Sequence, residues 1–116
     1  MHRTMSNLFD DDAAPVDGER FDVVQRIGPV VIERVVSSAA PDPGIYVQPQ
    51  DEWVVLLRGR AVLDLDGETV ALAAGAHVFI PAGTPHVVRE TSAGALWLAV
   101  HVHPTPPTAP PGGLRS

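Results

Sequence analysis

The dipeptide Asp66-Gly67 constrains this chain more than any other feature, because it sits between Leu63-Asp64-Leu65 and Glu68-Thr69-Val70-Ala71-Leu72. A two-residue connection between antiparallel strands needs positive φ at both central positions, which Asp-Gly tolerates and most dipeptides do not. A β-hairpin is therefore expected here, and its open edges need neighbours. The chain supplies them. Phe21 to Ile27 and Val30 to Val36 are β-branched runs split by Gly28-Pro29, and Ile45 to Gln48 is a short one. Trp53 to Leu57 and Ala61 to Leu65 flank Arg58-Gly59-Arg60, and His77 to Ile80, Val87 to Glu90 and Ala95 to Val102 complete the series. About eight or nine short strands, roughly ten residues apart and without a helical period, predict an antiparallel sandwich or barrel. The 10 Gly and 12 Pro of the 116 residues suit many short elements joined by turns.

Composition narrows the function classes. The hydrophobic fraction is 45%, enough for a single-domain core. Net charge is −6 and all eight basic residues are Arg, too few and too scattered for a phosphate-binding stripe. Neither nucleic acid nor an anionic membrane surface is an expected partner. Cysteine is absent, which removes disulfides, thiolate metal sites and Cys nucleophiles together. No apolar run approaches the ~20 residues of a membrane span. Asp10-Asp11-Asp12 stands where a secretory signal would be apolar, so a cytoplasmic protein is expected. Residues 1–18 read as a flexible acidic arm, with Leu8-Phe9 able to dock, and residues 19–103 as the barrel domain. Residues 104–116 read as a disordered, polyproline-like tail, since its prolines lack N–H donors.

Two segments concentrate chemistry. In Tyr46 to Gly59, strand alternation puts Tyr46, Gln48 and Glu52 in phase on one face. Trp53 to Leu57 is apolar at every position, the mark of a strand covered on both sides, so Glu52 is expected to enter an interior. A buried carboxylate must be paired, metal-bound or protonated. In Gly75 to His86, Pro81 ends one strand, Ala82-Gly83 turns the chain and His86 begins the next. A hairpin turning between Ala93 and Gly94 would set His86 directly opposite His101, with Cβ atoms about 5 Å apart. Two imidazoles so placed can share one ion.

These segments resemble the paired motifs of the cupin superfamily, in its small single-domain bacterial form. Gly75, Pro81, Gly83 and His86 match the pattern G-x5-P-x-G-x2-H without a gap, and Glu52 and Gly59 match the back half of the other motif. The resemblance runs from Ile45 to His103. It implies a double-stranded β-helix, or jelly-roll barrel, with a divalent metal inside and dioxygenase-, isomerase- or lyase-like chemistry on a small organic molecule. Cupins usually place two His ahead of the motif Glu, as H-x-H-x3-E, where this chain has Tyr46 and Gln48. The implied ligand set shrinks to Glu52 and His86, with Gln48 as a neutral oxygen donor. His101 lies outside both motifs and joins the set through the hairpin pairing alone. Two imidazoles and a carboxylate suit Fe(II), and also Mn, Ni or Zn.

Tyr46, Phe79 and Trp97 are the candidate substrate contacts. Tyr46 can donate to a ligand or plug the barrel mouth, and Trp97, like Trp53, also reads as a packing residue. His77 reads as a strand His, and His103 as an outer neighbour of His101. Two function classes follow: a metal-dependent small-molecule enzyme, and a non-catalytic ligand-binding module without metal. The second face of Trp53 to Leu57 needs a cover, and a homodimer is expected to provide it.

Overall fold

The computed structural model describes residues 6–104, and among these every regular element is a strand. The order is β1 (Glu19–Ile27), β2 (Val30–Ser37), β3 (Asp51–Arg58), β4 (Arg60–Leu65), β5 (Glu68–Ala73), β6 (His77–Ile80), β7 (His86–Thr91) and β8 (Leu96–Val102). They form a five-stranded sheet, β1-β2-β8-β3-β6, and a three-stranded sheet, β5-β4-β7, with every pairing antiparallel. This is the all-β jelly-roll sandwich that the sequence pattern predicts. The Asp66-Gly67 hairpin forms as expected: Leu65 pairs with Glu68, and both turn residues have positive φ, 48° and 84°. Ile45 to Gln48 contributes only an isolated bridge, Tyr46 to His86. The proline-rich segment 105–116 and residues 1–5 lie outside the described residues.

Alternation along β3 sorts its apolar residues. Val54 and Leu56 face the interior and are buried, with Glu52 in phase with them, whereas Trp53 faces outward. Val54 and Leu56 meet Leu63, Ile80, Trp97 and Ala99 in the core between the sheets. Burying one such Leu contributes roughly 1.5–3 kcal/mol.

The expected His86–His101 hairpin does not form. β7 pairs with β4 in one sheet, while β8 lies between β2 and β3 in the other. The cause lies in the bonds of the connecting turn. Ala95 N closes the turn on Ser92 O (3.0 Å), while Ser92 N donates to Arg60 O (2.9 Å) and Gly94 N to Ser37 O (2.8 Å), so the turn is tied to β4 and β2. Residues 92–95 carry the chain across from one sheet to the other. Gly59 makes the reverse kind of crossing between β3 and β4, and the two corners touch: a Cβ on Gly59 would lie 2.6 Å from Ser92 Oγ and 3.0 Å from Ala95 Cα. Gly59 has φ +93°, a conformation that side chains rarely adopt.

The acidic arm is tethered along its length from Leu8 to Asp12. Arg34, whose guanidinium pairs with Asp22 (2.7 Å), donates to Leu8 O (3.0 Å), Asp10 O and Asp11 O. Arg58 pairs with Asp12 (2.7 Å) and sits 5.8 Å from the Phe9 ring centre.

Candidate functional site

A cavity of about 450 Å³ opens between the sheets. Its apolar lining includes Val54, Leu63, Ile80, Val88 and Trp97. Polar side chains reach it from both sheets. β3 brings Glu52, which pairs in register with Ile80 on one side and His101 on the other. β8 brings His101, and β2 brings Glu33, on the face that also carries Val31 and Val35. β7 brings His86 from the opposite sheet. The stretch before β3 folds over one end, where Tyr46 N donates to His86 O (2.8 Å), His86 N to Tyr46 O (2.9 Å) and Gly83 N to Gln48 O (2.8 Å). Those bonds hold Gln48 and Tyr46 at the cavity.

Six of the seven residues singled out from the sequence line this cavity: Tyr46, Gln48, Glu52, His86, Trp97 and His101. His86 and His101 do share an interior, through sheets facing each other rather than through strand pairing. Phe79 is not brought there. It pairs with Trp53 on the outer face, 57% exposed, because β6 alternation turns Val78 and Ile80 inward and Phe79 out. His77 lies on that face as well, its ring 5.6 Å from that of Trp53. His103 is at the cavity rim, its ring 6.3 Å from that of His101.

The sequence reading missed Glu19, Glu33 and Gln50, which also line the cavity. Glu33 was visible in principle, since period-2 alternation in Val31-Ile32-Glu33-Arg34-Val35 places a carboxylate between two inward valines.

The polar groups are bonded to one another. Gln48 Nε2 donates to Glu52 Oε1 (2.7 Å). Gln50 Nε2 donates to His101 Nδ1 (3.3 Å), and His101 Nε2 meets Glu33 Oε1 (3.3 Å). His86 donates from Nδ1 to Thr84 O (3.0 Å), and the Tyr46 ring stacks on its imidazole at 5.7 Å. Trp97 is buried, and its Nε1 donates to Ser37 Oγ (2.9 Å), which in turn donates to Glu19 Oε2 (2.7 Å).

The field of these groups is negative. The Glu33 hydrogen bond raises the His101 pKa, against burial, and the Glu52 and Glu33 charges raise it further. Burial raises the Glu19 pKa; the Ser37 hydroxyl offsets this in part, and the charges of Glu52, Asp42 and Glu33 add to it. Burial also raises the Tyr46 pKa, with Asp42 and Glu19 acting in the same direction.

This donor set does not fit a divalent metal. Among the described residues no three His, Asp or Glu side chains are grouped closely enough to hold an ion. The amide of Gln48 turns its N–H, not its oxygen, toward Glu52, and both nitrogens of His101 are engaged. Among the described residues no helix is long and apolar enough to cross a membrane.

A protein-family model described as a cupin domain matches residues 36–103. Among solved structures, a protein from Ralstonia eutropha JMP134 provisionally named a mannose-6-phosphate isomerase is 31% identical, with a TM-score of 0.77 over 88% of this chain and 100% of that one. A conserved protein of unknown function from Streptococcus pyogenes is 25% identical, with a TM-score of 0.76 over 90% and 91% of the two chains. An RmlC-like cupin protein from Desulfovibrio desulfuricans, 19% identical, superposes with a TM-score of 0.72 over 87% and 97%. No curated protein matches the chain.

Proposed function

The chain belongs to the cupin family, and from that premise we propose that it binds a small organic molecule in the cavity between its sheets, oriented by side chains rather than by a metal. The observation that carries this reading is the Gln48–Glu52 hydrogen bond of 2.7 Å. Glu52 is half-buried and its carboxyl has a hydrogen-bond donor in Gln48, so it is supported without an ion. An apolar cavity with a few convergent polar groups is the usual form of a small-ligand site. A cytoplasmic setting is part of the proposal and rests on the sequence reading alone. So does a homodimer, in which a second copy covers the outer face around Trp53 and Phe79.

A metal-dependent enzyme of the dioxygenase, isomerase or lyase kind is the second reading. It is favoured by Glu52, His86 and His101 lining one cavity. Elemental analysis separates the two. Protein purified without chelator and then challenged with Fe(II), Mn(II), Ni(II) and Zn(II) is expected to hold far less than one equivalent of any of them. Stoichiometric metal, lost in both Glu52→Gln and His86→Ala, would replace the first reading by the second.

A further inference from the structure

The polar groups that face the cavity are mostly acceptors. Glu33 and Glu52 bring carboxyl oxygens, which accept. His86 bonds through Nδ1 to a carbonyl oxygen, which also only accepts, so in the neutral ring Nδ1 carries the proton and Nε2 presents a lone pair. The His86 residue is 9% exposed and lines the cavity, and its Nε2 has no partner among the described residues. Several donors, by contrast, are already engaged. Gln48 faces Glu52, Gln50 faces His101, Trp97 faces Ser37, and the Ser37 hydroxyl faces Glu19. The Tyr46 hydroxyl turns toward Asp42 (3.5 Å).

Charge points the same way. Three carboxyl groups, Glu19, Glu33 and Glu52, line the cavity, and His101 Nε2 meets one of them, Glu33. Arg26 also lines it, from an exposed position near the end of β1.

We propose that the ligand of this cavity is an organic amine, a protonated ammonium carried on an apolar body. The inference rests on the ligand-binding reading above and adds the ligand's class to it. An ammonium group brings several N–H donors and a positive charge to a cavity whose acceptors are Glu33, Glu52 and His86 Nε2, and it needs only one or two of them. The apolar body packs against Val54, Ile80 and Trp97. A carboxylate or phosphate in the same place would meet the carboxyl groups of Glu19, Glu33 and Glu52.

Three probes that share one ring and differ only in the head group test this: benzylamine, benzyl alcohol and benzoate. Each is titrated at fixed pH and ionic strength while the His86 and Trp97 side-chain resonances are followed by NMR. Benzylamine is expected to shift both and to bind about tenfold or more tightly than benzyl alcohol, as a charge-assisted hydrogen bond requires. Benzoate is expected to bind least. At least one of Glu33→Gln and Glu52→Gln, each checked for a native melting transition, is expected to weaken benzylamine about tenfold and to weaken benzyl alcohol much less, so that the preference for the amine shrinks. Equal binding of all three probes, or preference for benzoate, overturns the amine assignment and leaves the pocket reading standing. So does a benzylamine preference that survives both substitutions in folded protein. If no probe shifts His86 or Trp97, the pocket reading falls and the amine with it.

Discussion

Gly59→Ala examines the corner on which both sheets depend. Gly59 lies between β3, which carries Glu52, and β4, and its φ of +93° is a left-handed conformation. An L-residue forced into that region costs about 1–2 kcal/mol. The new methyl would also approach within 2.6 Å of Ser92 Oγ and 3.0 Å of Ala95 Cα. Ser92 can rotate away, but its Oγ accepts from Arg60 N (2.9 Å), and losing that bond costs about 1 kcal/mol. Ala95 is fully buried backbone and cannot yield so easily. The total is about 2–4 kcal/mol. Gly67→Ala is the control: its φ is +84°, yet nothing lies within 4 Å of the added Cβ, so it carries the conformational cost alone. Urea unfolding of the two variants separates the contributions. Gly59→Ala should lose at least about 1 kcal/mol more than Gly67→Ala. Equal losses, with native circular dichroism in both, would refute the idea that the two crossings pack against each other.

Light scattering should give about twice the 12.3 kDa chain mass, and Val55→Asp, which puts a charge on the outer face of β3, should shift the population toward monomer; a wild-type monomer at micromolar concentration contradicts the dimer. Glu19→Gln should raise thermal stability at neutral pH. The raised Glu19 pKa means that folding is favoured below the ordinary carboxylate range and penalised as pH rises through the folded value, so the gain should vanish in acid; a destabilised variant at pH 7 contradicts the burial cost. Arg34→Ala should expose residues 8–12 to proteolysis at least several-fold faster while the barrel stays folded, because Arg34 binds three carbonyls of the arm; unchanged cleavage assigns the tether to Arg58.

The strands were legible because their signals are local. Asp66-Gly67, Gly28-Pro29 and Pro81 each punctuate the chain whatever surrounds them, and the runs between them keep strand periodicity. The pairing of β7 was not legible, because adjacent strands joined by Ser92-Ala93-Gly94 look like a hairpin until the turn's donors are known to reach β2 and β4. The site was legible in part for a related reason. Gln48, Glu52 and His86 sit in motifs with fixed spacing, whereas Glu33 belongs to a strand that joins the cavity only through the nonlocal pairing of β2 with β8. Phe79 was misplaced because its face is set by the pairing of Val78 with Val54, which no feature of residues 77–80 reveals.

The two departures from the cupin motif, Tyr46 and Gln48, act on the site by different routes. Their backbones hold the mouth: Tyr46 bridges to His86 through both its N–H and its carbonyl, and Gln48 O accepts from Gly83 N. These three bonds join the segment before β3, in the five-stranded sheet, to the start of β7, in the three-stranded one, and to the loop that leads into it, without involving any side chain. The side chains are therefore free to set the chemistry without altering the frame. Gln48 places a neutral donor on Glu52, and Tyr46 lays an aromatic face along His86. The frame that gathers Glu52, His86 and His101 thus persists while the groups within it satisfy one another, and His86 Nε2 is left facing whatever enters.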